Sequence, residues 1–178
     1  MIISGQTIRR YCTGARLKDD VLIAPFSERK EVTFTEFRTV EGRQVPTQLK
    51  MTYGVGPAGY DVRVEFDETG EKNSIIVPPG GFVLAATMER FQMPVHLIGM
   101  VADKSSWARR GIAVQHTVIE PGWCGYLTLE ISNHSSHAVR IERGMPIAQI
   151  IFHVIDEAVD FAYDGKYQDQ GRGPREAK

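Results

Sequence analysis

One carboxylate in this chain sits where a strand would display it. In Tyr126-Leu127-Thr128-Leu129-Glu130-Ile131-Ser132 apolar and polar residues alternate. Successive side chains of a strand point to opposite faces, so Leu127, Leu129 and Ile131 fall on one face and Thr128, Glu130 and Ser132 on the other. The leucine face reads as core. Glu130 is then either a solvated charge, as on any half-exposed antiparallel strand, or a group placed to move protons, and alternation alone does not choose between them.

Three further segments carry chemistry-bearing residues. Asp103-Lys104-Ser105-Ser106-Trp107-Ala108-Arg109-Arg110-Gly111 reads as one or two helical turns capped by a serine and stopped by Gly111, with Ser105 and Arg109 at i and i+4 on one side. Hydroxyls, cations and exposed backbone N–H groups suit an anion such as phosphate, although an ordinary surface turn has the same composition. Gln115-His116-Thr117-Val118-Ile119-Glu120-Pro121-Gly122-Trp123 offers backbone polar groups beside a large aromatic, where Trp123 either holds a flat ring or plugs the core. Tyr163-Asp164-Gly165-Lys166-Tyr167-Gln168-Asp169-Gln170 reads as a lid over phosphates or as a plain tail.

Missing motifs narrow the field. Zinc-activated water on a nucleobase deaminase needs HxE followed by PCxxC, and neither occurs; GxxxxGK[ST] and HExxH are likewise absent. With only Cys12 and Cys124, neither a disulfide framework nor a multi-thiolate metal site is expected.

The elements that must position these residues are mostly strands. The 17 Gly and 9 Pro punctuate short apolar or alternating runs. Strands are predicted for Tyr60 to Phe66, Ser74 to Val77, Gly81 to Thr87, Leu97 to Val101, Ile112 to Val114, Tyr126 to Ser132, Ala138 to Ile141 and Ile147 to Ile155. Such a series, joined by turns such as Pro78-Pro79-Gly80-Gly81 and Glu120-Pro121-Gly122, predicts a sandwich or barrel. A short helix is expected between an N-cap at Ser4 and a stop at Gly14, extended segments and loops from Val21 to about Pro57, and a mobile polar tail after Tyr163.

Length and composition fit that picture. At 178 residues, 42% hydrophobic and 24% charged with a net charge of −1, the chain is one domain's worth of soluble protein. The charge balance removes the broad basic footprint of a nucleic-acid binder, so any anion site is local. No apolar run reaches a membrane span or a signal-peptide core, and a reducing, cytoplasmic location is expected.

Taken together, Lys104-Ser105-Ser106-Trp107-Ala108-Arg109-Arg110-Gly111, Ile119-Glu120-Pro121-Gly122-Trp123 and Gly125-Tyr126-Leu127-Thr128-Leu129-Glu130 resemble the motifs of the dCTP deaminases, within the dUTPase-like superfamily. Gly59-Tyr60-Asp61-Val62-Arg63, Gly144-Met145-Pro146-Ile147-Ala148-Gln149 and Gly165-Lys166-Tyr167-Gln168-Asp169-Gln170 resemble its other signatures in the same order. The likeness covers nearly the whole chain and is weakest between Ser27 and Val55.

The resemblance implies an all-β, distorted barrel or jelly-roll-like fold (β-clip, dUTPase-like) over residues 1–178 as a single domain. It also implies a homotrimer with active sites between subunits, zinc-independent hydrolysis of dCTP to dUTP and ammonia, Mg²⁺ carried on the triphosphate, and dTTP as a candidate inhibitor. Glu130 would be the general acid and base. Ser105 and Arg109 would hold the water and the developing charge, with Thr128 beside the base.

Substrate contacts would come from Lys104, Ser105, Ser106, Trp107, Ala108 and Arg109 of the helical turn and from Thr117, Val118 and Glu120 of the loop. Thr128, Leu129 and Gln149 would add to them from strands, and Tyr163, Lys166 and Gln170 from the terminal segment. A dUTPase, or an enzyme doing both reactions, is the alternative. Against it, Val118-Ile119-Glu120 lacks the Ala-Gly and Asp that activate water at phosphorus, and Gly171-Arg172-Gly173-Pro174 lacks an aromatic. A trimeric nucleotide-binding module without catalysis is the second alternative, opposed by Glu130, Ser105 and Arg109 occurring together.

Overall fold

The computed structural model describes residues 59–177 throughout and, before them, only six short backbone strands. These are β1 (Leu22–Ala24), β2 (Thr33–Phe34), β3 (Phe37–Val40), β4 (Arg43–Pro46), β5 (Leu49–Lys50) and β6 (Gly54–Val55). The helix expected from Ser4 to Gly14 lies outside the described residues.

From Tyr60 onward the chain is a succession of antiparallel strands. They are β7 (Tyr60–Glu65), β8 (Ser74–Val77), β9 (Phe82–Gln92), β10 (Leu97–Asp103), β11 (Ile112–Val114), β12 (Val118–Ile119), β13 (Cys124–Asn133), β14 (Val139–Glu142) and β15 (Pro146–Val154). One helical turn, α1 (Ser105–Ala108), interrupts them. All eight strands read from the sequence are present. Two features were not legible there: β12, a two-residue strand in the Gln115–Trp123 loop, and the run of β9 past Thr87 to Gln92.

The main sheet has the order β11-β13-β9-β7-β15-β10-β12, with β1 added at β9 and β6 at β7. Its curl is set at β7. Residues Tyr60 to Arg63 of β7 pair with β15, whereas Val64 and Glu65 pair with Thr87 and Ala86 of β9, so one strand changes partner midway and turns the sheet on itself. β14 and β8 form a separate two-stranded ribbon. The enclosed core includes Tyr60, Phe91, Leu97, Leu129, Ile131 and Phe152, all fully buried, and each such side chain contributes about 1.5–3 kcal/mol.

Candidate active site

A cavity of about 210 Å³ opens where β12, β13 and the terminal segment meet. The loop supplies Thr117, Val118, Ile119, Glu120 and Trp123, the strand supplies Leu127, Thr128 and Glu130, and the terminal segment supplies Tyr163, Tyr167, Gln170 and Arg175. Thr117, Val118, Glu120, Thr128, Glu130, Tyr163 and Gln170 were expected from the sequence to belong to one site, and this cavity gathers them.

Glu130 is half-buried in the cavity wall, and its Oε2 is buried without a hydrogen-bond partner among the described residues. Burial pushes its carboxyl pKa above the usual carboxylate range, because a charge is less well solvated there. A buried, unsatisfied carboxyl oxygen is costly unless something occupies the space before it. Glu130 is thus a partly desolvated carboxyl that forms no ion pair among the described residues.

The strand that carries it is not regular. Pairing of β13 with β9 shifts between Tyr126, opposite Arg90, and Thr128, opposite Ala86. Leu127 alone therefore faces the stretch Thr87 to Glu89. Its freed N–H donates to Thr87 Oγ1 at 3.0 Å, and the Thr87 hydroxyl donates to the Glu89 carbonyl at 2.7 Å. Such an irregularity re-aims side chains. Here Leu127 is only partly buried and packs against the edge of the core that Leu129 and Ile131 fill. Those two are fully buried in the core, while Leu127 lines the cavity beside Thr128 and Glu130. Leu129, expected among the substrate contacts, keeps its side chain in the core.

The terminal segment packs against this wall. Trp123 is buried, and its indole N–H donates to the Tyr167 carbonyl at 2.8 Å, so it is a plug and a cavity wall at once. Gln168 accepts from Cys124 N at 2.8 Å and donates to the Gly122 and Tyr163 carbonyls at 3.0 and 2.9 Å. Gln170 forms a parallel bridge with Gly125. Gly125 has φ 145, and a Cβ there would stand 2.8 Å from Gln170 N; only glycine allows the two backbones so close. Lys166 lies outside the main cavity, over the Tyr167 ring at 5.0 Å, in a neighbouring hollow of about 120 Å³ whose walls also include Gln170 and Arg175.

The helical turn stands apart from this cavity. No side chain caps α1: Lys104 is the N-cap residue, in extended conformation, and makes no side-chain capping bond, which corrects the expected serine cap. Gly111, at φ 78, ends the turn as expected. Ser105, Ser106, Ala108 and Arg109 are exposed and do not line the cavity. Trp107 is buried and donates its indole N–H to the Pro146 carbonyl at 2.8 Å, so within this chain it anchors the turn to the body. Arg110 stacks over it at 4.7 Å.

Lys104 and Gln149 converge on Asp61. Lys104 Nζ lies 2.8 Å from Asp61 Oδ2, and Gln149 Nε2 donates to Oδ1 at 2.8 Å. Asp61 is fully buried and had no role in the sequence reading beyond its place in a motif. Tyr167, Leu127, Ile119 and Arg175 are cavity residues that sequence reasoning did not single out. Of these, Leu127 was hidden by the irregular pairing and Arg175 by its place in a polar terminal segment.

Comparison with known proteins gives these features a family. Solved structures share the fold: the dUTPase of Staphylococcus bacteriophage 80alpha superposes with a TM-score of 0.51 at 16% identity, covering 83% of this chain and 97% of that one. A mutant dUTPase from phage phi11 of S. aureus gives 0.50 at 14% identity over 82% and 97%. The fold is dUTPase-like. Within that class the chain belongs to the dCTP deaminase-like family, whose pattern it matches over residues 2–155. Curated relatives include the dCTP deaminase of Coxiella burnetii, 33% identical over 86% of this chain and 95% of that protein. The dCTP deaminase of Acidobacterium capsulatum is 37% identical over 67% and 79%.

Proposed function

We propose that this protein hydrolyses dCTP to dUTP and ammonia, with Glu130 as the proton-transfer group. The observation that carries the reading is the Glu130 carboxyl, partly desolvated and with one oxygen unpartnered among the described residues, on the wall of a cavity whose lining also includes Trp123, Tyr163, Tyr167 and Leu127, in a chain of the dCTP deaminase-like family.

Flat aromatic and aliphatic walls suit a pyrimidine ring, and the few polar groups among them fix its orientation. The reaction needs three proton movements at one place. The Glu130 carboxylate takes a proton from water as the oxygen adds to C4 of cytosine. It passes that proton to N3, and after the second water proton reaches the amino group, the C4–N bond breaks and ammonia leaves. A carboxyl with its pKa raised toward neutrality is better matched to taking and giving a proton in turn than an ordinary surface glutamate.

The roles of Ser105 and Arg109 require a second copy of the chain. Ser105 opens α1 and Arg109 is its C-cap residue, and both are exposed outside the cavity that holds Glu130. We infer a homotrimer in which the turn of one copy lies over the cavity of the next, bringing Ser105, Ser106 and Arg109 to the substrate with the backbone of Trp107 and Ala108 beside it.

Magnesium belongs to the substrate. Among the described residues no three of His, Cys, Asp and Glu come together as a metal site, and the ion would travel on the triphosphate. The chain's part is to meet the remaining charge with Lys166 and Arg175 at the neighbouring hollow and with Lys104 and Gln149, held ready by Asp61. Among the described residues, no helix is long and apolar enough to cross a membrane.

Incubation with dCTP and Mg²⁺, followed by chromatography of the nucleotides and an ammonia assay, tests the reading. Equimolar dUTP and ammonia support it. Formation of dUMP and pyrophosphate would assign the dUTPase step to the same protein, and unchanged dCTP would leave a binding module without catalysis.

A further inference from the structure

We propose that Glu65 and Arg172 form a latch that holds the terminal strap, residues 164–177, closed over the Glu130 cavity before any nucleotide binds. Glu65 ends β7 and is fully buried. Its carboxylate accepts from Phe66 N at 3.0 Å and from Arg143 Nε at 2.9 Å to both oxygens. That guanidinium already balances the buried charge, which would otherwise be expensive. Arg172 Nη2 nevertheless reaches Glu65 Oε2 at 3.2 Å. This second cation is surplus to neutralising Glu65, and its consequence is mechanical: it ties the strap to the body.

Two independent features fix the strap on either side of that pair. Beyond it, Gly173 is buried at φ 85, where a Cβ would lie 2.8 Å from Glu68 Cγ and 2.9 Å from Glu68 N. The strap backbone therefore rests directly on the turn after β7. That turn is itself stiffened by Asp67, which accepts from Gly70 N, Lys72 N and Thr69 Oγ1 at 2.6, 2.8 and 2.8 Å. Before it, the Gln170 carbonyl accepts the Tyr126 N–H at 3.0 Å. Held at both points, the chain returns to the cavity, where Arg175 N donates to Thr128 Oγ1 at 3.0 Å and the Arg175 side chain lines both the cavity and the hollow beside Lys166. Glu65 and Arg172 touch neither space, so they are positioning residues that set where Gln170 and Arg175 stand. A strap ordered in advance lowers the entropy cost of closing on a ligand.

The closed strap is argued from geometry alone; its effect on substrate rests on the dCTP reading above, and the two are measured separately. Arg172→Ala leaves Glu65 paired with Arg143, so the fold should survive. Amide hydrogen exchange of the nucleotide-free protein should show the Tyr126 amide and residues 164–177 exchanging about tenfold faster or more in Arg172→Ala, with Arg172→Lys recovering part of the protection and strands β10 and β15 unchanged.

Gly173→Ala should reproduce the loss by lifting the strap off Glu68. In turnover assays with Mg²⁺ and dCTP, Arg172→Ala should raise KM by about tenfold while kcat stays within about twofold. Unchanged exchange in both variants would overturn the latch. So would exchange that rises equally in β10 and β15, which would make Glu65 and Arg172 a structural pair. A wild-type protein inert toward dCTP would refute the dCTP reading, while the exchange comparison would still decide the latch.

Discussion

Gln170 and Thr128 are joined by a hydrogen bond of 2.6 Å from the Gln170 amide to the Thr128 hydroxyl, and the same amide nitrogen reaches the Tyr126 carbonyl at 2.7 Å. The terminal segment is thereby tied to the irregular stretch of β13 that displays Glu130. Thr128 Oγ1 collects a second bond from Arg175 N, so a single hydroxyl on the cavity wall holds two of the strap residues that line the cavity.

Gln170→Ala should therefore weaken dCTP binding by roughly tenfold, the worth of one or two hydrogen bonds, with little change in Tm because the segment contributes no residue to the large buried core. Isothermal titration with Mg²⁺ and dCTP checks the affinity, and thermal denaturation checks the fold. A Tm drop that matches the affinity loss would assign Gln170 to stability instead.

Thr87→Val keeps the shape of a fully buried side chain and removes the acceptor for Leu127 N and the donor to the Glu89 carbonyl. A loss of about 1–3 kcal/mol is expected for the unsatisfied backbone groups. Because the same bonds hold Leu127 and Thr128 out of register, kcat should fall as well. Urea unfolding together with steady-state kinetics would show both effects, and a variant equal to wild type in both would remove Thr87 from the account.

The irregular pairing also marks the limit of what the sequence disclosed. Strand-like alternation from Tyr126 to Ser132 was legible because Leu129 and Ile131 do point into the core, but a two-residue period cannot register the break at Leu127. The order of strands, the turn at Gly111 and most residues around the Glu130 cavity were readable from spacing and from motifs. The anchoring of α1 was not: the Trp107 indole bonds to the Pro146 carbonyl, 39 positions away in the sequence. The grouping of Lys104 and Gln149 on Asp61 depends on β10 lying beside β15 and β15 beside β7, a long-range pairing that no local pattern carries. The strap shows the same limit, since Glu65 and Arg172 are 107 positions apart.

Burial raises the Glu130 pKa in the folded chain. A carboxyl with a folded pKa above its unfolded value binds more protons folded than unfolded, so its effect on stability is least adverse below the unfolded pKa and grows as pH rises toward the folded one. Glu130→Gln should thus raise Tm at about pH 7 and lose that advantage near about pH 4, where an unfolded glutamate is itself protonated. Thermal scans of both proteins across that range measure it. In turnover, the acid limb of the wild-type kcat/KM profile should fall above the usual glutamate range.

Mixing inactive proteins tests the shared site. Glu130→Gln and Arg109→Ala should each be inactive alone. After co-refolding or subunit exchange, a trimer with composite sites should recover about a quarter of wild-type activity, the share of sites that receive an intact Glu130 from one copy and an intact Arg109 from another. No recovery, with heterotrimers demonstrated by mass spectrometry, would place both residues in one chain's site.

The most direct measurement is turnover of dCTP in 18O-labelled water with mass analysis of the product. Attack at C4 assisted by Glu130 predicts dUTP carrying one heavy oxygen in the uracil ring and none in the phosphates. Under the same conditions Glu130→Gln should bind dCTP within about tenfold of wild type and lower the rate of ring labelling by about 100-fold or more. Heavy oxygen in phosphate, or ring labelling at an undiminished rate in Glu130→Gln, would contradict the account.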